Sequence, residues 1–330
     1  MSNFELPSRS LPVVITEAGI CVVLNITSII GNSLVCIAAY RNPNLRSTTN
    51  LYIIALAVSD LLCATIEMPL ASTTLIIGRW DFSDVLCQIQ GFVDGFTTYA
   101  TPATLGLTAI NRYVKIVKTN LYKKYFSPLR SKIWLCCVWT ILVLYILTGR
   151  ATDLLSFEFV PGFEVCALGF ADMRVQIVHF SIVLGLFFIV PLFSGMFSYY
   201  KVISSTHQHQ ENTNASLHSR DNCGGSSSLK EIHVTRILLC VAAGFLFCWI
   251  PMWAIILWKR FSPDTCPRRA AILAPFFLFV SATINPLIYA FTNCGFKSEF
   301  RKLLCCCHAS KEGTAADINE VREIEDEANV

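Results

Sequence analysis

The sequence predicts an all-α membrane protein, a bundle of seven transmembrane helices followed by a short amphipathic eighth helix. Its composition is 54% hydrophobic and only 15% charged, with a mean hydropathy of +0.53, whereas about a quarter of the residues of a soluble domain are charged. Seven mainly apolar stretches reach the roughly 20 residues that a spanning helix needs. They lie at about 13–40, 50–77, 86–116, 131–149, 173–203, 232–258 and 270–292.

The second and third stretches are the most polar, since they contain Asp60, Glu67 and Asp94. Both are predicted as spans because polar side chains are retained in a membrane when they face the interior of a bundle. Lys and Arg are enriched after the first, third and last stretches, and the positive-inside rule places these regions in the cytoplasm. We therefore expect residues 1–12 to be extracellular, in a multi-pass protein of the plasma membrane.

The seven-helix domain and the eighth helix are predicted to occupy residues 13–304, and the acidic cytoplasmic tail residues 305–330. The polar, Gly/Ser-rich loop at about 205–229 is predicted to be disordered, because it cannot bury enough apolar surface to offset the entropy of ordering. The net charge of +3 is small and spread over loops, which argues against nucleic acid as a partner.

The eighth helix is predicted from apolar residues at helical spacing. They are Phe296, Phe300, Leu303 and Leu304. Its positively charged residues are expected to face water: Lys297, Arg301 and Lys302. Three cysteines follow the helix, Cys305, Cys306 and Cys307. Their place at the end of a membrane-lying helix predicts palmitoylation, and a cluster of free thiols is the alternative.

Five polar residues within the spans are predicted to form one buried cluster: Asp60, Asn32, Thr101, Ser281 and Asn285. An unpaired carboxylate in hydrocarbon is costly, and such a cluster relieves that cost. A sodium ion with waters is a further candidate at Asp60, and no other cofactor or metal is expected. The alternative is a network that only holds the helices together.

The third helix connects the two faces of the membrane. Cys87 and Arg112 are 25 residues apart, about 37 Å along a helix, so Cys87 lies at the outer mouth and Arg112 at the inner edge. Asp94 lies two turns below Cys87, at the depth that a ligand from outside would reach. Cys166 lies in the outer loop after the fourth helix, and a Cys87–Cys166 disulfide is predicted because that side is oxidising.

The sixth helix is predicted to bend at Pro251, since proline removes a backbone hydrogen bond and collides with the preceding turn. Trp249 stands next to this bend. A large aromatic side chain at a bend suits a lever that moves the inner half of the helix. An ordinary kink filled by a core tryptophan is the alternative.

Ten features in this order resemble the rhodopsin-like (class A) G protein-coupled receptors over about residues 15–305. They are GN at 31–32, LAVSD at 56–60, Cys87, the NRY triplet Asn111–Arg112–Tyr113, Trp139, Cys166, Pro191, Tyr199, CWIP at 248–251 and NPLIY at 285–289. NRY together with CWIP is similar to melatonin receptors, although these have NAxxY in the seventh helix. The resemblance implies a heterotrimeric G protein as partner, with arrestin and a receptor kinase.

The resemblance also implies roles at the inner face. Arg112 would contact the C-terminal helix of the G protein, while Tyr199 and Tyr289 would turn inward to support the active state. Phe245 would repack as the sixth helix swings outward. Glu231 would pair with Arg112 in the inactive state, or both would be solvated charges at helix ends.

One motif departs from the family pattern at the inner face. Asn111 replaces the acidic residue that the family usually has before the arginine. An amide holds Arg112 less firmly than a carboxylate does, and raised basal signalling is expected.

Asp94 matches the position where monoamine receptors pair with a protonated amine. The helix 5 hydroxyls of those receptors are replaced by apolar residues, and Phe279 replaces both their tyrosine and the retinal lysine of opsins. The expected ligand contacts are Asp94, Thr98, Glu67, Trp249, Phe279 and Phe187. A small cationic or indole-like ligand is preferred, and a short peptide is the alternative. Asp94 could instead form a structural polar pair.

The sequence disfavours two other classes of protein. A transporter, or another seven-helix protein that binds without signalling, is disfavoured because no internal repeat or matching broken helix is evident. An enzyme is disfavoured because His179, the histidine in the interior of a predicted span, lacks cysteine or histidine partners, and the other five histidines fall in loops, the tail or helix ends. No catalytic residue is therefore predicted.

Overall fold

The computed structural model describes Leu6, residues 8–189, positions 193, 196, 197, 200, 201 and 204, and residues 225–293 and 295–304. Within these ranges, the side chains of residues 49, 116, 186–188, 225–239 and 292 are not described. Tyr199, the Cys305–Cys307 cluster and the acidic tail therefore lie outside the described residues. The same holds for the side chains of Glu231 and Phe187.

The first four long helices follow the predicted spans closely. Helix α1 is Leu11–Arg41, and α2 runs as Thr48–Leu62, a π-helical turn Cys63–Glu67 and Met68–Ile77. Helix α3 is Asp84–Ile116, and α4 is Pro128–Ala151. A short helix, Thr119–Tyr125, lies in the loop between α3 and α4.

The remaining helices complete the bundle. Helix α5 is Met173–Ile182 continued by the π-helical segment Val183–Ile189, and α6 is Gly225–Phe261. Helix α7 is Leu273–Thr292, preceded by the turn Arg268–Ala271, and α8 covers residues 295–304. Helix α6 begins at Gly225, within the stretch 205–229 that is predicted to be disordered. Residues 205–224 of that stretch lie outside the described residues.

Five helices are long and apolar enough to cross a membrane within the described residues. They are Leu11–Arg41, Asn50–Ile77, Pro128–Ala151, Cys240–Phe261 and Arg268–Phe291. Helix α3 has 33 residues but is less apolar, in line with its central position: it packs against α2, α4 and the outer loop. Its polar side chains face neighbouring helices, as the sequence predicted.

Several of these helices begin at a residue whose side chain caps the first turn. Ser47, Ser83 and Ser127 each accept a hydrogen bond from the backbone amide three residues further on. Asp172 accepts from two amides at the start of α5. Such caps satisfy amides that have no partner within the helix. The end of α2 is marked by Gly78, whose φ of 83° is the left-handed conformation that glycine adopts readily.

The outer loop between α4 and α5 folds into a β-hairpin that the sequence analysis did not predict. Strands β1 (Leu155–Val160) and β2 (Val165–Phe170) pair antiparallel, with Phe159 opposite Cys166. Cys166 forms the predicted disulfide with Cys87. The hairpin is thereby fixed over the outer end of α3.

Four charged side chains join the N-terminal segment to the outer face of the bundle; we call them the outer ionic cluster. Arg268 donates to both carboxylate oxygens of Glu17, at 2.9 and 2.8 Å, and to Glu164 of the hairpin turn at 2.9 Å. Arg9 donates to Glu17 at 3.0 Å and to the Leu75 carbonyl at 2.7 Å. Helix α1, the hairpin, α7 and the N-terminal segment are thus held together by charge.

We expect Arg268→Met to lower the thermal stability of the receptor in detergent. The change leaves Glu164, whose side chain is 1% exposed, without its cation, and removing one partner of a buried ion pair costs about 3 kcal/mol. The apparent Tm should fall by several degrees. Arg150→Met is the control, because its pair with Asp153 is solvent-exposed and contributes about 0–1 kcal/mol. Equal Tm values for the two variants would contradict this role.

Candidate functional site

A cavity lies between the hairpin and the outer halves of the helices. Its polar lining comes from Asp94, Thr98 and Tyr99 of α3, His179 of α5 and Arg260 of α6. The apolar lining comes from the hairpin and from α5, α6 and α7: Phe163, Val165, Ala167, Leu168, Phe170, Phe180, Met252, Trp253, Ile256, Ala274, Pro275 and Leu278. An aromatic cavity with few convergent polar groups is typical of a small-molecule site.

The cavity is narrow. Its volume is about 60 Å³, room for only a few water molecules. Entry of a ligand therefore requires the hairpin or the lining side chains to shift.

Two carboxyl groups lie side by side near the cavity. Those of Asp94 and Glu67 are close enough to affect each other's charge. Glu67 is fully buried and is the last residue of the π-helical turn of α2, and neither of its carboxyl oxygens has a well-formed hydrogen bond among the described residues. Two adjacent acidic groups in a low-dielectric site repel each other when both are charged, and either a shared proton or a bound cation relieves that repulsion.

Arg260 is a polar lining residue that the sequence analysis missed. Its guanidinium donates to the Leu168 carbonyl at 2.6 Å and lies over the rings of Phe163 and Phe170, 5.8 and 5.6 Å from their centroids. It also acts electrostatically on Asp94. Arg260 therefore ties α6 to the hairpin and partly balances the charge of Asp94. The sequence showed it only as one of several basic residues near the outer end of a helix.

His179 joins three helices, a role the sequence did not reveal. The Tyr99 hydroxyl lies 2.8 Å from its Nε2, and the Tyr145 hydroxyl lies 2.9 Å from its Nδ1. Both ring nitrogens thus have hydrogen-bond partners, and one wall of the cavity is fixed across α3, α4 and α5. This arrangement positions the wall of a binding site.

Below the cavity, Trp249 is fully buried and stacks on Phe245 with 4.7 Å between ring centroids. Its indole nitrogen donates to the Ser281 hydroxyl at 3.0 Å. One turn further along α7, Asn285 donates to the Asp60 carboxylate at 3.0 Å. The tryptophan of α6 is therefore linked through α7 to the acidic residue of α2.

Of the remaining residues of the predicted polar cluster, Asn32 forms hydrogen bonds between helices and Thr101 does not bond to Asp60 among the described residues. Asn32 donates to the Ala282 carbonyl at 3.0 Å, and Ser28 donates to the same oxygen at 3.3 Å. Thr101 is buried but makes no hydrogen bond to Asp60 among the described residues. Asn32 thus holds α1 against α7, beside the cluster that involves Asp60.

At the inner end of α3, Asn111 and Arg112 are both buried. Neither amide atom of Asn111 has a hydrogen-bond partner among the residues that the structure describes. Tyr289 of α7 is also fully buried, and the ring of Tyr113 lies 5.8 Å from that of Phe197. The predicted pair of Arg112 with Glu231 involves a side chain outside the described residues and stays a prediction.

Of the residues predicted to contact a ligand, Asp94 and Thr98 line the cavity. Glu67, Trp249 and Phe279 are buried without lining it. The side chain of Phe187 lies outside the described residues. The structure thus places the predicted ligand contacts in two layers, one in the cavity wall and one behind it.

Comparison with known proteins gives one consistent family. Residues 31–289 match the family described as 7 transmembrane receptor (rhodopsin family). The chain is 25% identical over 291 residues to melatonin receptor type 1C of Gallus gallus, covering 87% of this chain and 81% of the relative. It is 26% identical over 318 residues to the histamine H2 receptor of Canis lupus familiaris, covering 94% and 84%.

A solved structure has the same fold. The crystal structure of squid rhodopsin superposes with a TM-score of 0.77 at 23% identity, covering 92% of this chain and 89% of that one. The fold likeness agrees with the family match, which spans most of the chain. The chain belongs to the rhodopsin family of seven-transmembrane receptors and is a class A G protein-coupled receptor.

Proposed function

We propose that this receptor binds a small cationic or indole-like molecule from outside the cell and transmits the event to a heterotrimeric G protein. One observation carries the proposal: Asp94, beside Glu67, faces an aromatic cavity beneath the hairpin. A protonated amine would pair with the carboxylate while the aromatic wall covers its apolar part. The related melatonin and histamine H2 receptors support a small molecule over a peptide.

The transmission step follows from the packing of α6. Met252 and Trp253 line the cavity, and Trp249 lies one turn below them on the same helix. A ligand that fits better when these side chains shift would favour a second position of α6, which contains Pro251, a residue that favours a bend. A ligand moves such an equilibrium only by its difference in affinity for the two states. The inner half of α6 would then uncover the Arg112 face for the G protein.

The membrane orientation belongs to the same proposal. The basic residues after α1, α3 and α7 favour a cytoplasmic location, so the N-terminus, the hairpin and the outer ionic cluster would be extracellular. The Cys87–Cys166 disulfide supports this orientation, because disulfides persist in oxidising compartments. Arrestin and a receptor kinase would act on the cytoplasmic face.

Sodium binding at Asp60 is a further part of the proposal. Sodium is a hard cation, and such ions prefer oxygen ligands. The Asp60 carboxylate and the Ser281 hydroxyl supply two such oxygens close to Asn285. Among these groups Asp60 would hold the ion, and Ser281 would connect it to Trp249.

A ligand panel tests the proposed function. Primary amines, indole derivatives and short peptides would be applied to cells that express the wild type or Asp94→Ala, with cAMP and calcium as readouts. We expect responses to amines or indoles, with amine responses lost in the variant. A response to peptides alone would contradict the proposed ligand class. An intact receptor at the cell surface that never activates a G protein under saturating agonist would contradict signalling itself.

We expect Asn111→Asp to lower agonist-independent signalling. The Asn111 amide is buried without a hydrogen-bond partner among the described residues, next to Arg112. A carboxylate there would pair with the guanidinium and hold it in the inactive state, because charge-assisted hydrogen bonds are about twice as strong as neutral ones. Basal cAMP response, normalised to surface expression, is the measurement. Basal output that stays the same or rises would show that Asn111 does not loosen Arg112.

A further inference from the structure

A membrane-facing groove lies between α1, α7 and α8, far from the ligand cavity. It is lined by Thr27, Ile30, Gly31 and Leu34 of α1 and by Pro286, Leu287, Ala290 and Phe291 of α7. Helix α8 adds Lys297, Phe300, Arg301 and Leu304. The groove has a volume of about 530 Å³, within the range of roughly 300–1,000 Å³ that is common for ligand sites.

The groove is built by small residues where α1 and α7 meet. A Cβ atom at Gly31 would lie 2.9 Å from the Pro286 Cβ, so the two helices are in direct contact there. Nearer to α8, the small side chain of Ala290 leaves space, while Leu287 and Phe291 are exposed on the surface of the bundle. The result is an apolar recess that opens toward lipid.

The four groove residues of α8 share one face of that helix, and two of them are cations. Lys297, Phe300, Arg301 and Leu304 are spaced i, i+3, i+4 and i+7, which is a single stripe. Lys297 and Arg301 therefore lie at the edge of the groove, where the apolar recess meets the surface of the protein. Lys302, in contrast, points away from this stripe and pairs with Glu299 at 2.8 Å. Neither Lys297 nor Arg301 has an ion pair within the described part of the chain.

We propose that this groove binds one anionic phospholipid. An acyl chain would lie in the apolar recess between α1 and α7, and the headgroup phosphate with its added negative charge would lie against Lys297 and Arg301. Charge complementarity selects this occupant, because two uncommitted cations at the end of an apolar groove match an anionic headgroup on an apolar tail. The cytoplasmic leaflet, where the proposed orientation places α8, supplies such lipids.

Native mass spectrometry of the full-length receptor tests this proposal. Detergent-solubilised receptor would be mixed with equal amounts of phosphatidylserine and phosphatidylcholine of identical acyl chains. We expect one phosphatidylserine per receptor, at least about fivefold preferred, and loss of that preference in Lys297→Gln/Arg301→Gln. Ala290→Phe, which fills the recess and keeps both charges, should lower binding of the same lipid.

The matched control is Lys123→Gln/Lys124→Gln, which removes two exposed cations from the loop after α3. It should retain the bound phosphatidylserine. Equal binding of both lipids, or equal loss in the control and in Lys297→Gln/Arg301→Gln, would overturn the proposal. So would a receptor dimer that Lys297→Gln/Arg301→Gln dissociates, because a second copy would then occupy the groove. None of these outcomes depends on the signalling ligand.

Discussion

Arg112→Ala should abolish agonist-stimulated G protein turnover while the receptor still binds its ligand. Arg112 is buried at the inner end of α3, about 27 Å along the helix from Asp94. Its removal cannot alter the cavity directly but deletes the guanidinium proposed to contact the G protein. We expect the agonist-stimulated rate of GTP binding to fall at least about 30-fold, since losing a hydrogen-bonded charge at an interface costs about 2 kcal/mol or more.

Two further variants sharpen this prediction. Arg112→Lys keeps the charge but loses the planar, multi-donor group, and it should also lose most of the turnover. Lys118→Gln removes an exposed positive charge just beyond α3 and should leave turnover within about twofold. Normal turnover in Arg112→Ala, with an agonist that the receptor demonstrably binds, would refute the assigned role.

Asp94→Asn should produce the second large effect, at the opposite end of α3. The substitution keeps the shape of the side chain and removes its charge from a cavity with aromatic walls. Losing a desolvated charge pair costs about 3 kcal/mol, so the potency of an ammonium agonist should fall about 100-fold. Basal turnover should be nearly unchanged, because Asp94 does not contact the inner face.

Comparing a charged with a neutral agonist distinguishes loss of the ion pair from a general loss of receptor stability. A neutral indole-like agonist should lose less than about threefold in Asp94→Asn, because it makes no ion pair. Asp153→Asn is the matched control, since it removes an acidic side chain that is 89% exposed on the same side of the bundle. Unchanged potency of the ammonium agonist in Asp94→Asn would mean that Asp94 serves only as a partner of Glu67.

Much of the fold could be predicted because lipid imposes a simple rule on sequence. Apolar runs of sufficient length gave the helix positions, and buried polar residues marked the faces turned toward the bundle. The link between Asp60 and Asn285 was predictable for this reason: neither group could face hydrocarbon. The disulfide was predictable because Cys87 and Cys166 were both placed at the outer face.

The features that the sequence did not predict depend on contacts between segments that are distant in the chain. Each hairpin strand has only six residues, and the second, VCALGF, is an apolar run without alternation. Arg260 was one basic residue among several, and only the folded hairpin brings the rings of Phe163 and Phe170 beneath it. His179 lies about 80 residues from Tyr99 in the chain. Nothing in local spacing predicts that pairing.

The groove beside α8 was not predicted from the sequence for a related reason. Helical periodicity correctly separates Phe296 and Leu303 from Lys302. It does not show that a neighbouring pair of helices leaves a groove beside the helix. Only the packing of α1 against α7 determines what that side of α8 contacts.

In the proposed mechanism, α6 has two positions relative to α3, and a ligand in the outer cavity selects between them. Spin labels at Lys118→Cys and His233→Cys, with accessible native cysteines replaced by serine, would measure the distance between the inner ends of these helices by double electron–electron resonance. We predict that a saturating agonist shifts the distance distribution outward by several ångströms, and that Asp94→Asn prevents the shift for an ammonium agonist. An unchanged distribution, in a sample where the same agonist still stimulates GTP binding, would contradict the account.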